Sequence, residues 1–110
     1  MTVYLVRDLV FTSKIREAAE RLGVDVQGVR QASAVLDPAR RAQLVIVDLR
    51  LPDALEALEL LARDVDASAV PTVGFVDHER IDVMESARAL GCGQVLAKGE
   101  FATKLAGLLR

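Results

Sequence analysis

Five short runs of apolar, β-branched residues alternate with stretches of helical periodicity, and this alternation constrains the fold more than any other feature. The strand-like runs cover residues 3–6, 24–29, 44–47, 72–76 and 94–97. Between and after them, apolar residues recur three and four positions apart, as on the buried face of a helix. Because parallel strands require crossover helices, the order predicts an α/β fold: a parallel five-stranded sheet with helices on both faces.

Capping residues predict where several helices begin and end. Thr12 or Ser13 is placed to cap the first helix, and Gly23 stands where a left-handed C-cap is expected. Asp53 precedes Glu56 by three residues, which is the spacing of a capping box at the start of the third helix.

Between these helices the assignment of residues 32–42 stays open. They are helical in pattern, but Pro38 disfavours helix at the preceding Asp37, so that helix is either broken or begins at Asp37. A short last helix is expected to run from about Phe101 to the end of the chain.

Composition excludes several classes of protein. Hydrophobic residues make up 52% of the 110 residues, enough for a core without disulfides, and the one cysteine, Cys92, cannot form an internal disulfide or a zinc site. The formal net charge of −2 argues against a nucleic-acid-binding protein. The apolar runs are too short for a signal peptide or a membrane span. We therefore expect one domain over residues 1–110, located in the cytoplasm and not at a membrane.

Polar side chains gather where the predicted strands end, and ligands of open parallel sheets bind at that edge. The residues at these strand ends are Arg7, Asp8, Asp48, Asp77, His78 and Lys98. The simplest interpretation makes Asp77 a helix N-cap and His78 a cap or hinge residue, rather than a base and a proton carrier.

The segment 48–52, Asp-Leu-Arg-Leu-Pro, follows an apolar strand and resembles the phosphoacceptor loop of response-regulator receiver domains. Pro71 before the fourth strand and Lys98 after the fifth match the same family. The resemblance covers the whole chain. It implies a CheY-like, flavodoxin-like (βα)5 three-layer sandwich with strand order 2-1-3-4-5, and no output domain.

The resemblance also implies a chemistry. Asp48 would accept a phosphoryl group from a partner histidine kinase in a two-component phosphorelay. Asp8 and Asp48 would hold Mg²⁺, which prefers oxygen ligands, and Lys98 would bind the phosphate.

The sequence departs from the receiver pattern at four positions. Arg7 stands where an acidic residue is expected, and a guanidinium cannot ligate Mg²⁺. Val76 replaces the phosphate-binding hydroxyl, Val95 replaces the aromatic switch residue, and Gly99 replaces the proline after the lysine. These losses affect metal binding, phosphate recognition and signal relay separately. They indicate a degenerate pocket, that is, a pseudo-receiver that needs no cofactor and is not an enzyme.

Two interpretations of Asp48 stay open. It is either the phosphoacceptor of a working receiver or one half of a structural ion pair with Arg7 or Lys98, and the second is favoured. Arg7 could also stand in for the charge of the metal, since a fixed cation stabilises a developing anion. A function of another class is a small-anion or nucleotide-binding module, with the anion held by Arg7, Lys14, His78 and Lys98.

The resemblance predicts a protein-binding surface on the fourth helix, fifth strand and fifth helix, where receivers commonly contact their partners. The candidate interface residues are Arg80, Glu85, Arg88, Val95 and Lys104. The partner is unspecified: a histidine kinase, a signalling complex or a second copy of the chain. Nucleic acid and membrane are not expected.

Overall fold

Five parallel strands form the centre of the structure, a computed structural model that describes residues 1–110. The strands are β1 (Thr2–Leu5), β2 (Val26–Val29), β3 (Leu44–Asp48), β4 (Thr72–Val76) and β5 (Gln94–Ala97). They are ordered β2-β1-β3-β4-β5, and every neighbouring pair is parallel. The predicted sheet and its strand order are confirmed.

Five helices cover the two faces of the sheet. They are α1 (Leu9–Leu22), α2 (Leu36–Ala39), α3 (Ala54–Arg63), α4 (Ile81–Ala89) and α5 (Lys98–Leu109), with short 3-10 turns at Ala32–Ala34 and Ala67–Ala69. Buried residues of α2, α3 and α4 join one hydrophobic cluster, and those of α1 and α5 join a second on the opposite face. None of the helices is long and apolar enough to cross a membrane.

The central position of β3 explains its composition. All five residues of β3 are buried, because it lies between β1 and β4 and is covered by helices on both faces. The strand therefore carries its one charged residue, Asp48, at its carboxyl end. Since parallel strands end at the same edge of the sheet, this residue lies at the edge where β1 also ends.

Helix α1 begins earlier than expected, and its cap is neither Thr12 nor Ser13. The Asp8 carboxylate accepts a hydrogen bond from the Phe11 backbone N–H at 3.1 Å, which makes Asp8 the N-cap. The other end agrees with the sequence: Gly23 has a φ of 69° and closes the helix in the left-handed conformation.

The region 32–42 is not one continuous helix. A 3-10 turn precedes α2, which is a single turn long. Pro38 lies within that turn, where a missing N–H removes no helical hydrogen bond, and Asp37 is inside the helix rather than its cap. At the other end of the chain, α5 begins at Lys98, three residues before the predicted Phe101.

Candidate functional site

Asp48 and Arg50 form a two-pronged ion pair at the carboxyl end of β3. Arg50 Nε donates to Asp48 Oδ1 at 2.9 Å, and Arg50 Nη2 donates to Asp48 Oδ2 at 2.9 Å. The Arg50 backbone N–H also donates to Oδ1 at 2.9 Å, which closes an Asx turn. Only 2% of the Asp48 surface is exposed. Both carboxylate oxygens are therefore engaged by a residue two positions further along the chain.

The same guanidinium also reaches Asp8. Arg50 Nη2 lies 3.4 Å from Asp8 Oδ2. The hydrogen bond to Asp48, with smaller contributions from the charges of Asp48 and Asp8, raises the pKa of Arg50 above its usual value. The pKa of Asp8 is lowered, first by the Phe11 N–H that it accepts and also by Arg50. Arg50 thus neutralises both carboxylates that the receiver pattern assigns to Mg²⁺.

Aromatic rings hold the guanidinium from another side. The Arg50 Cζ lies 5.1 Å from the Phe11 ring centroid and 5.6 Å from that of Phe75, within the range of cation–π attraction. Phe75 stacks in turn on Phe101, with 4.4 Å between ring centroids. The aromatic cluster anchors Arg50 to the core formed by α1, β4 and α5.

The loop after β3 is fixed by its neighbour β4. The Leu49 N–H donates to the Phe75 carbonyl at 2.9 Å, which continues the β3–β4 pairing by one residue. The Leu49 side chain lies over Gly74, where an added Cβ would be 2.7 Å from Leu49 Cδ1. The glycine in β4 therefore allows the loop that carries Arg50 to approach the sheet.

Arg7 does not pair with Asp48, contrary to expectation, and it does not pair with Asp8. Its Nη2 donates to Asp53 Oδ2 at 2.9 Å, and its Nε donates to the Arg30 carbonyl. Asp53 Oδ2 also accepts the Ala32 N–H at 2.8 Å. The guanidinium of Arg7 is the main cause that lowers the pKa of Asp53.

The predicted capping box of α3 is consequently wrong. Asp53 occupies the N-cap position, but its side chain makes no capping hydrogen bond. It turns instead to the β2–α2 connection. Arg7 and Asp53 therefore join the end of β1, the connection after β2 and the start of α3.

Lys98 is paired with Asp77 rather than with Asp48. The Lys98 Nζ lies 2.6 Å from Asp77 Oδ1, and this hydrogen bond lowers the pKa of Asp77. The expected role of Asp77 as an N-cap is wrong, because α4 begins at Ile81 and its N-cap position is Arg80. The proposed structural pairing of Asp48 exists, but its partner is Arg50 and neither of the two residues that the sequence suggested.

The remaining predicted positions differ in exposure. Val76 is fully buried and Val95 partly buried, while His78 is exposed beside Glu79. Cys92 is buried, its thiol donates to the Gln94 carbonyl, and burial raises its pKa. The four exposed candidate interface residues are Arg80, Glu85, Arg88 and Lys104.

The four residues suggested for an anion site do not converge. Arg7 binds Asp53 and Lys98 binds Asp77. Lys14 lines a separate groove between α1 and α5, together with Glu17 and Arg21. The anion module in its predicted form is therefore not assembled.

No protein-family model matches the sequence, and no curated protein matches it. Solved structures do. The receiver domain of sensor histidine kinase PA1611 from Pseudomonas aeruginosa PAO1, solved with a magnesium ion coordinated in the active-site cleft, has a TM-score of 0.81 at 20% identity, over 98% of this chain and 92% of that one. The chemotaxis response regulator CheY4 of Vibrio cholerae has a TM-score of 0.80 at 14% identity, over 96% and 92%.

A third similar structure is the phosphorylated cyanobacterial phytochrome response regulator RcpA, with a TM-score of 0.78 at 20% identity over 98% of this chain and 87% of that one. This chain has the receiver-domain fold. At such low identity the likeness establishes the fold, and the pocket must be judged from its own residues.

The pocket of this receiver fold does not fit Mg²⁺ as it is arranged. No group of three or more His, Cys, Asp or Glu side chains is placed to hold a metal ion. Asp8 and Asp48 share the Arg50 guanidinium, and the third residue at this edge of the sheet, Arg7, is a cation. A divalent ion would have to displace the Arg50 guanidinium from both carboxylates before it could bind them.

The contacts that Arg50 and Asp53 make in this pocket were not predicted from the sequence. The spacing of Arg50 did carry a signal. An aspartate at the end of a strand often accepts the backbone N–H of the residue two positions later, which turns the chain back toward its side chain. An arginine two residues after a strand-terminal aspartate is thus placed to fold back on it. Asp53 carried no such signal, because its partner Arg7 is 46 residues away.

Proposed function

We propose that this chain is a receiver-like signalling domain that acts through protein–protein contacts and whose phosphorylation pocket is closed by its own Arg50. The observation that carries the proposal is the ion pair at the end of β3. Arg50 donates to both oxygens of the buried Asp48 and also lies beside Asp8. An internal cation takes the place between the two carboxylates where a receiver would hold its metal.

Phosphorylation of an aspartate needs a free carboxylate oxygen for attack and cations that neutralise the transferring group. Asp48 Oδ1 accepts two hydrogen bonds and Oδ2 accepts one, all from Arg50. The other groups of the pocket are equally unsuited. Val76 has no hydroxyl, and Lys98 is occupied by Asp77 at 2.6 Å. These contacts support a domain that holds one conformation without phosphorylation.

The alternative is a working receiver in which Asp48 accepts a phosphoryl group from a histidine kinase, with Mg²⁺ held by Asp8 and Asp48. In its favour, Asp48 stands at the carboxyl end of the central strand, and a lysine follows β5. This function would require Arg50 to leave the pocket. A quarter of the Arg50 side chain is exposed, which gives it a path into solvent. Moving outward would break its contacts with Asp48, Asp8, Phe11 and Phe75.

The proposed contact surface comprises α4, β5 and α5. Arg80, Glu85, Arg88 and Lys104 are exposed on these elements, and Val95 of β5 is half-buried. Two of the four are already tied locally, since Arg80 pairs with Asp82 and Lys104 with Glu100. Glu85 and Arg88 are therefore the charges most available to a protein partner or to a second copy of the chain.

Beryllofluoride and acetyl phosphate with Mg²⁺ test this proposal. We expect the wild-type protein to show neither beryllofluoride binding by ¹⁹F NMR nor a phosphate adduct by mass spectrometry. The Arg50→Asn variant, which frees Asp48 and Asp8, should gain beryllofluoride binding, and Arg50→Asn combined with Asp48→Asn should lose it again. Stoichiometric, Mg²⁺-dependent modification of wild-type Asp48 would establish the working receiver instead.

A further inference from the structure

A groove at the β2 edge of the sheet carries three arginines and no acidic residue. It lies between α1, the end of β1 and β2, and has a volume of about 370 Å³. Ligand sites usually span roughly 300–1,000 Å³. Its polar lining consists of Tyr4, Arg7, Thr12, Arg16 and Arg30. We propose that this groove binds a phosphate dianion, either free or carried by a small phosphorylated molecule.

The positive charge of the groove is largely uncompensated. Arg7 is paired with Asp53, but Arg16 and Arg30 have no carboxylate within salt-bridge distance. The chain as a whole has a net charge of −2, so this concentration of arginine does not follow from a basic composition. Two free guanidinium groups match the charge of one phosphate dianion, and the planar donors of arginine suit its oxygens.

Arg7 is held in place before any ligand arrives. Its Nε donates to the Arg30 carbonyl and its Nη2 to Asp53. A guanidinium has five N–H donors, so the donors of Arg7 that do not contact Arg30 or Asp53 remain available to a ligand. Because Arg7 is bonded to the backbone of Arg30 and to Asp53, its guanidinium is already held at the groove, which lowers the entropy cost of binding.

Tyr4 adds an accessible hydroxyl to the groove. The residue as a whole is only 6% exposed, but its hydroxyl, which makes no hydrogen bond within the protein, keeps accessible surface at the groove. The ring crosses β2 at Gly28, where an added Cβ would lie 2.8 Å from two ring carbons. Gly28 therefore lets the ring extend under the groove and leaves its hydroxyl as a neutral donor.

This site is distinct from the pocket around Asp48. Asp8, Asp48 and Arg50 do not line the groove, and of the residues suggested by the sequence for an anion only Arg7 does. Phosphate binding in the groove requires no chemistry at Asp48. Its test therefore succeeds or fails independently of the proposed function.

The experiment is a ¹⁵N NMR titration of the full chain with inorganic phosphate, pyrophosphate and AMP up to about 10 mM, the range of millimolar affinity, against chloride at equal ionic strength. We expect saturable shifts at Thr12, Gly28 and Arg30. The Arg16→Gln/Arg30→Gln double variant should weaken binding by roughly tenfold or more. Arg21→Gln/Arg41→Gln, which removes two exposed arginines outside the groove, should change it by less than about twofold.

Each outcome decides the matter. Equal affinity for phosphate and AMP would identify the free anion as sufficient, whereas tighter binding of AMP would identify a phosphoryl group on a larger molecule; both support the site. Absence of saturable shifts with all three compounds would overturn it, and so would equal weakening in the two double variants. Shifts that disappear in Asp48→Asn would also overturn it, because they would place the phosphate in the other pocket.

Discussion

Arg50 and Asp48, two residues apart in sequence, hold each other through paired contacts of 2.9 Å from Nε to Oδ1 and from Nη2 to Oδ2. The carboxylate is at the end of a fully buried strand, where an unpaired charge would be costly. The guanidinium satisfies it and is itself supported by Phe11 and Phe75. A cation supplied by the chain thus makes a buried acidic pocket stable without a bound metal.

Removal of Arg50 should destabilise the protein, because Asp48 would stay buried without its cation. We expect Arg50→Gln to lower the free energy of unfolding by about 1–3 kcal/mol, less than for a fully buried pair since Arg50 is partly exposed. Urea unfolding measures this, with exposed Arg41→Gln as the matched control. Adding Asp48→Asn to Arg50→Gln should recover part of the loss; additive losses in the double variant would contradict the coupling.

Substitution of Arg7 by aspartate should not create a Mg²⁺ site on its own. Arg7 faces Asp53 rather than Asp48, so Arg7→Asp removes the cation of Asp53 and adds a like charge while Arg50 still occupies the pocket. We expect a less stable protein with no Mg²⁺-dependent NMR shifts. Arg7→Asp combined with Arg50→Asn should bind Mg²⁺ more tightly than Arg50→Asn alone. Mg²⁺ binding by the Arg7→Asp single variant would contradict this arrangement.

The Arg7–Asp53 pair should make the free energy of unfolding depend on pH in the acidic range. The pKa of Asp53 in the folded protein is lowered from 3.8, mainly by Arg7. The stabilisation is therefore fully present above pH 3.8 and is lost as the pH falls through the lower folded value. In urea unfolding, the stability gap between wild type and Asp53→Asn should be widest near neutral pH and shrink below about pH 4. If the difference in unfolding free energy between wild type and Asp53→Asn were the same at every pH, the negative charge of Asp53 would not contribute to stability.

Two glycines should respond oppositely to alanine. At Gly74 the new Cβ would meet the buried Leu49 side chain at 2.7 Å, so Gly74→Ala should cost about 1–3 kcal/mol of unfolding free energy. At Gly107, in α5, nothing lies within 4 Å, and Gly107→Ala should add roughly 0.5–1 kcal/mol through helix propensity. Thermal or urea unfolding measures both. An unchanged stability in Gly74→Ala would show that the loop after β3 can retreat from β4.

Much of the fold was predictable because its signals are local. The apolar runs located all five strands within two residues, since buried parallel strands need continuous apolar sequence. Gly23 marked the end of α1 through its left-handed conformation. Boundaries that depend on one side chain were less predictable: Asp8, Thr12 and Ser13 are all acceptable caps, and only the hydrogen bond to Phe11 distinguishes them.

The candidate site was predictable in most of its members, although not in Arg50, and its ion pairs were not predictable. The sequence by itself determined that charged residues meet at the carboxyl edge of a parallel sheet, because parallel strands joined by crossover helices all end at that edge. Tertiary structure decided which cation each carboxylate receives. Arg7 pairs with Asp53, Lys98 with Asp77 and Arg50 with Asp48. The Arg7–Asp53 and Lys98–Asp77 pairs depend on distances of a few ångströms between elements far apart in sequence. The strength of every such ion pair depends on separation and burial.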